Sequence, residues 1–329
     1  IHFEPKDDDL LVRFRVDGIL HDVTRVAFDV APLVMSRLKV LAGLDIADRR
    51  RPQDGRASTK FDGRVVDLRV STLPLNDRFE KAVIRLLDAA SATHGLTALG
   101  FSAGETHRVM KLLTQNEGMV LVTGPTGSGK TTTLYAAVEH SRSPETNIVT
   151  VEDPIEYNLE GINQVQVNEK AGLGFASALR SIVRQDPDVI LVGEIRDGET
   201  AGIAVKAGLT GHLVLSTLHT IDAPSAIGRL ADIGVDLGAL SGSLKGVIAQ
   251  RLVRKLCESC CQPVTLEELP EDQRHLLAGR KTEKLRRSTG CEACRNTGFR
   301  GRMVVPEVLL VSDEMRSAIA RGADRVELQ

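Results

Sequence analysis

Residues 118–131 read GMVLVTGPTGSGKT, and the second half, Gly124-Pro125-Thr126-Gly127-Ser128-Gly129-Lys130-Thr131, fits the pattern G-x-x-x-x-G-K-[ST]. The first half is a short apolar run with strand character, and the KTTTLYAAVEHS that continues from Lys130 has helical spacing. Glycines let the backbone turn so that its N–H groups point at phosphate oxygens, and the start of the next helix adds positive potential. Lys130 is therefore expected to reach the outer phosphates of a nucleotide. Thr131 is expected to hold Mg²⁺ through its hydroxyl, with Thr132 beside it. A chance glycine-rich turn would need strand, helix and three glycines to coincide by accident.

Working outward, the texture from about residue 99 alternates buried strands with helices. NIVTVED, DVILVGE and HLVLSTLHT read as strands, and FASALRSIVRQD and GETAGIAVKAGLTG as helices. That rhythm predicts an α/β domain over 99–256, a parallel sheet covered on both faces, with ligands at the carboxyl ends of its strands. Three stretches should meet the phosphate loop there. TVEDPIEY brings Glu152 and Asp153. DVILVGEIRD brings Glu194, a good candidate for orienting water because a buried strand fixes its backbone. HLVLSTLHT has His212 before its strand and His219 after it, and such histidines are as readily structural hydrogen-bonders. Gly193 stands where nucleotide hydrolases usually present a metal-holding aspartate, which raises the question of a defective site.

Upstream, LLVRFRV followed by DGIL signals a hairpin, VAPLVMSRLKVLAGL a helix, and FDGRVVDLRVSTL a second turn and strand. Val66, Leu68 and Val70 fall on one face of that strand, and Asp67 and Arg69 on the other. Residues 1–88 are thus expected to form a small α+β domain, joined by a hinge at 89–98. The chain opens without Met, apparently inside a strand, so it is expected to be a fragment with an N-terminal part preceding it.

The net charge is −2 and aromatics are 3% of the 329 residues, a balance that disfavours a nucleic-acid-binding surface. No apolar run approaches the ~20 residues of a membrane span. All five cysteines fall in one region. Cys257-x-x-Cys260 and Cys291-x-x-Cys294 are separated by 30 residues, the logic of a structural zinc site that leaves no open position. The subdomain 257–294 would then be clipped by metal, with Cys261 as a spare. Residues 295–329 are read as a C-terminal helical region, with Ser312 capping SDEMRSAIARG.

Taken together, GPTGSGKTTTLY, TVEDPIEY, RQDPDVILVGEIRD and GHLVLSTLHT resemble the Walker A, Asp, atypical Walker B and His boxes of bacterial secretion ATPases. More narrowly the chain resembles the type II secretion and type IV pilus assembly branches; IHFEP, VRFRVDGIL, RRPQDGR and GRVVDLRVSTLP are similar to that family's second N-terminal domain. The resemblance implies a RecA-like P-loop ATPase core, a PAS-like N-terminal domain and a zinc subdomain; retraction-type relatives typically lack the tetracysteine element. Gly before the catalytic Glu is a trait of the family, so the resemblance implies an intact site. It assigns Glu194 as catalytic base or water-orienting group, Glu152 and Asp153 near the metal and its waters, His219 by the phosphates and His212 on the same edge. It also implies nucleotide-facing arginines: Arg69 and Arg85 from the N-terminal domain, and Arg180, Arg184 and Arg196 from the core.

Lys81 replaces an arginine of that family, and Phe79 a glycine. Lys lacks the guanidinium fork, which puts any ligand role at this position in doubt. The implied protein is a homo-hexamer using ATP, Mg²⁺ and Zn²⁺ and driving pseudopilus assembly. It would lie in the cytoplasm, held at the inner membrane by a platform protein that it meets through its missing N-terminal part. The resemblance leans towards type II secretion over pilus extension. A nucleic-acid translocase and a nucleotide-gated scaffold without hydrolysis are the competing classes.

Overall fold

The computed structural model describes residues 1–75, 79–87, 95–277, 279 and 284–328. The N-terminal part is an antiparallel sheet of β1 (His2–Pro5), β2 (Asp9–Val16), β3 (Ile19–Ala27), β4 (Gln53–Phe61), β5 (Arg64–Pro74) and β6 (Glu80–Leu87). The strand order is β3-β2-β1-β6-β5-β4, and one helix, α1 (Ala31–Leu41), follows β3. The hairpins turn at Asp17-Gly18 and Asp62-Gly63, with positive φ at both residues of each pair. This is the mirror-image turn whose twist matches that of the flanking strands. In β5, Val66, Leu68 and Val70 lie on the more buried face and Asp67 is exposed, as alternation requires. Lys81 pairs with Glu4 at 3.2 Å within this sheet. Asp88 and residues 89–94 of the expected hinge lie outside the described residues.

The core sheet begins after α2 (Ala103–Leu113). Its elements in chain order are β7 (Gly118–Thr123), α3 (Lys130–Ser141), β8 (Ile148–Glu152), β9 (Asn163–Gln166), α4 (Phe175–Ile182), β10 (Val189–Val192), α5 (Gly198–Gly208), β11 (Leu213–Leu218), α6 (Pro224–Asp232), α7 (Leu237–Ser243) and β12 (Leu244–Leu256). The small β13 (Cys261–Pro263), α8 (Glu271–Leu277) and β14 (Arg286–Ser288) follow, then β15 (Phe299–Leu310) and α9 (Asp313–Ala320). The order across the sheet is β15-β12-β7-β11-β10-β8-β9, parallel except for β15. Met119 and Leu121 of β7 enter one buried cluster with α4–α7, and Val120 and Val122 enter another with α2 and α3. Burial on both faces explains why these strands read as unbroken apolar runs. No described helix is long and apolar enough to cross a membrane.

One sequence expectation changes here. Residues 295–329 were expected to be helical, yet β15 pairs with β12 from Leu256↔Phe299 to Gly246↔Leu310 and completes the sheet. Pro306 obscures the strand signal, but an edge strand tolerates a residue with no N–H to donate. The capped helix is where it was expected, with Ser312 Oγ accepting the Met315 N–H at 3.2 Å.

Candidate nucleotide site and tetracysteine centre

The phosphate loop joins the carboxyl end of the central β7 to α3. Gly124 sits at φ +145°, and a Cβ there would lie 2.3 Å from the Gln250 carbonyl and 2.6 Å from Ser128 Oγ. No other residue fits. Gln250 of β12 locks the loop from beside it, donating to Ser128 O at 2.8 Å and accepting from Thr133 Oγ1 at 2.9 Å. Lys130 is buried and donates to Gly124 O at 2.7 Å and to Pro125 O at 3.3 Å, with His219 Nδ1 3.4 Å away. Burial lowers the pKa of its ammonium, and the charge of Glu194 acts in the opposite sense.

A cleft of about 610 Å³ opens over the loop. Thr126, Gly127, Ser128, Gly129, Lys130, Thr131 and Thr132 line its floor, and Glu152, Asp153, Gly193, Glu194 and His219 its far wall. Its volume is in the range of small-molecule and cofactor sites. Glu194 emerges just past β10, its carboxylate paired with Arg196 and 3.7 Å from His219 Nε2. Burial and then the charge of Lys130 lower the pKa of His219, while the charge of Glu194 acts in the opposite sense. Glu152 ends β8, buried, with Tyr135 donating to Oε2 and Thr150 and Gln164 donating to Oε1 at 2.6 and 3.1 Å.

Gly193 has its own reason to be small. Its N–H bonds Val151 O at 2.8 Å, and an added Cβ would meet Val151 O at 3.3 Å and Glu152 Cα at 3.4 Å. Two hydroxyls of β11 fasten the same turn, Ser216 to Val192 O and Thr217 to Gly193 O, both at 2.7 Å. An aspartate here would push on the backbone that carries Glu152. Gly193→Asp is therefore expected to cost about 1–3 kcal/mol of stability and to lower turnover, read by thermal unfolding and a phosphate-release assay. A fully stable variant with raised turnover would instead mark Gly193 as a missing metal ligand.

The expected cations divide into two groups. Arg85 lines the cleft, and Arg69 opposes it on the neighbouring strand. Arg69, however, reaches the segment after β8, donating to Ile155 O at 2.6 Å and pairing with Glu156 at 3.1 Å. Arg180 pairs with Glu199, and Arg184 donates to Arg180 O at 2.6 Å; both are exposed on or just past α4 and do not line this chain's cleft. His212 needs correction. It precedes β11 and its carbonyl accepts Gly118 N–H at the start of β7, so it lies at the opposite edge of the sheet from the loop. Seven residue steps of extended chain separate it from His219, about 23 Å.

Around the second centre, the Sγ atoms of Cys257, Cys260, Cys291 and Cys294 lie within 4.8 Å of one another. Three of the separations are 3.7–3.9 Å. A tetrahedron with metal–sulfur distances of ~2.3 Å has edges of ~3.8 Å, so the thiols fit a zinc ion. The backbone N–H groups of Cys291 and Gly298 point at Cys294 Sγ at 3.1 and 3.3 Å, an arrangement that favours a thiolate. Cys261 stands outside the cluster, opposite Ser288 in the β13–β14 pair.

A family model described as Type II/IV secretion system protein matches residues 1–329. The chain belongs to this family. It is 53% identical over 322 residues to "Type II secretion system protein E" of Dickeya dadantii (strain 3937), covering 98% of this chain and 64% of the relative. It is 47% identical over 335 residues to "Type IV pilus assembly ATPase PilB" of Myxococcus xanthus (strain DK1622), covering 100% of this chain and 58% of the relative. The chain therefore spans less than two thirds of the length of these relatives. Among solved structures it is similar to the pilus retraction motor PilT with bound ADP. The TM-score is 0.67 at 28% identity, with 98% of this chain and 82% of that one covered.

The resemblance read from the four boxes thus stands. Reasoning from sequence missed Gln250, Tyr135 and Arg302. Arg302 comes to the cleft from β15 and lies 3.6 Å from Asp17 of the β2–β3 turn. The Gln250 and Tyr135 signals were an amide in an apolar strand and a tyrosine on a buried helix face, both of which demand a polar partner.

Proposed function

We propose that this secretion-family chain binds ATP with Mg²⁺ at residues 124–132 and hydrolyses the γ-phosphate. As part of a hexamer it would drive pseudopilus assembly in type II secretion. The observation that carries this reading is the convergence of the phosphate loop, Glu152, Glu194 and His219 on one cleft at the carboxyl ends of four parallel strands. Glu194 orients the attacking water, its carboxylate held by Arg196. Lys130 leaves the loop carbonyls for the phosphates, and Arg85 faces them from the N-terminal sheet. Thr131, exposed at the start of α3, would hold Mg²⁺, which neutralises charge on the β- and γ-oxygens. Asp153, exposed at the rim, would bind metal-held water. The four cysteines would carry a structural zinc.

The N-terminal sheet would act as the family's PAS-like mobile domain. The protein would work in the cytoplasm, held at the inner membrane by a platform protein. The 47% identity to a pilus assembly ATPase supports pilus extension as the second reading.

Arg180 and Arg184 support assembly, since both are exposed away from their own cleft and would serve a neighbour's phosphates. Turnover per chain should therefore climb with protein concentration and vanish in Lys130→Ala at every concentration. Turnover that is flat with concentration would remove the neighbour from the site, and turnover surviving Lys130→Ala would remove the hydrolytic reading.

A further inference from the structure

Tyr135 sits on α3 five residues beyond Lys130 and is 1% exposed. Its hydroxyl donates to Glu152 Oε2 and accepts the Glu156 N–H at 3.3 Å. Its ring packs edge-on against Tyr157, with centroids 4.6 Å apart. One side chain thus touches both ends of the turn leading from β8 into the next segment. The hydroxyl stays a donor, because burial and then the charge of Glu152 raise its pKa well above the ordinary value. Glu152 is buried, and the donors that hold it among the described residues are neutral: Tyr135, Thr150 and Gln164. Such a carboxylate owes its orientation to those bonds, and each lost donor leaves a buried oxygen with unmet demand.

The same turn is gripped from outside the core. Arg69 of β5 holds Ile155 O and the Glu156 side chain, while the Glu156 N–H occupies the Tyr135 hydroxyl. The path from the N-terminal sheet to the cleft runs Arg69, Glu156, Tyr135, Glu152, with a polar contact at each step.

We propose that Tyr135 is a positioning residue for Glu152, and that Arg69 sets this positioning by gripping residues 155–156. The seating of the N-terminal sheet is thereby read at the cleft. A sheet that moves and carries Arg69 away draws the Glu156 N–H off the Tyr135 hydroxyl. The Glu152 carboxylate is then free to turn. The inference rests on the hydrolytic reading above, with Glu152 acting at the metal and its waters. It gives Arg69 a different task from touching phosphate.

The test uses the assembled chain and a double-mutant cycle. Tyr135→Phe is expected to lower kcat about tenfold or more, with the KM and Kd for Mg-ATP within about twofold and the circular dichroism unchanged. In a Glu152→Gln background the same substitution should change kcat less than about twofold, because the group it positions is gone. Arg69→Ala should also lower kcat without weakening ATP binding, and its effect should shrink in the Tyr135→Phe background. Full multiplicative losses in both cycles would reduce Tyr135 to a packing residue and overturn the inference. So would a Tyr135→Phe enzyme with normal kcat, or an Arg69→Ala chain whose only defect is weaker ATP binding. Lys130→Ala run alongside keeps the two readings apart. Turnover that survives it sinks the hydrolytic reading, whereas turnover lost there and intact in Tyr135→Phe sinks this inference alone.

Discussion

Glu194→Gln lowers the turnover number about 100-fold or more while leaving Mg-ATP affinity within about threefold. The amide keeps the size of the carboxylate, so the turn after β10 should survive; it is held by Ser216 and Thr217 of β11, not by this side chain. What is lost is the negative charge that meets Arg196 and that the hydrolytic reading would use to orient the attacking water. On the same reading, ground-state binding would depend on other groups: the loop N–H donors, Lys130 and Thr131 on the cleft floor. The loss should therefore fall on kcat and spare affinity, the pattern of an interaction made mainly in the transition state. Equilibrium binding of a fluorescent ATP analogue and single-turnover phosphate release separate the two. A variant that still turns over within about fivefold of the parent would pass the role to another carboxylate, and Glu152 would be the next to test.

Some of this site could be read from the chain and some could not, for physical reasons. The phosphate loop was legible because its chemistry is local: glycines, lysine and threonine act within eight consecutive residues, between a strand and a helix. The hairpins at Asp17-Gly18 and Asp62-Gly63 were legible for the same reason, since the turn geometry is set by its own two residues. His212 and His219 look equivalent in sequence, flanking one strand, yet an extended strand carries its two ends to opposite edges of the sheet. Arg69 was expected at phosphate from resemblance; its contacts to Ile155 and Glu156 depend on how two sheets approach, which no local pattern encodes. Tyr135 lies inside KTTTLYAAVEHS, whose spacing signals a helix but names no partner for the hydroxyl. Its hydroxyl gains meaning only from Glu152, which lies 17 positions along the chain.

Removing one thiolate from the tetracysteine centre should have the other large effect, and it falls on structure. Among the described residues from 257 to 298, the buried ones are Cys257, Cys294 and Gly298, so this segment has no apolar core of its own. Its backbone order comes from the pairing of β13 with β14 and from the two cysteine turns. Strand pairs this short are not stable alone. A zinc ion on the four thiols would supply the difference, since structural zinc contributes on the order of 10 kcal/mol in small metal-folded domains. Cys291→Ser is therefore expected to take bound zinc from about one ion per chain to well below that. The segment between β12 and β15 should become open to proteases while the core sheet keeps its melting transition. Strong chelation of the parent chain should reproduce the cleavage pattern, and added zinc should reverse it. The damage should stop near Leu256↔Phe299, where the β12–β15 ladder begins and packing takes over from metal. Metal analysis and limited proteolysis followed by mass spectrometry decide it. A parent chain without bound metal that still resists proteolysis would show that the thiol cluster is held by the backbone alone, and the zinc assignment would fall.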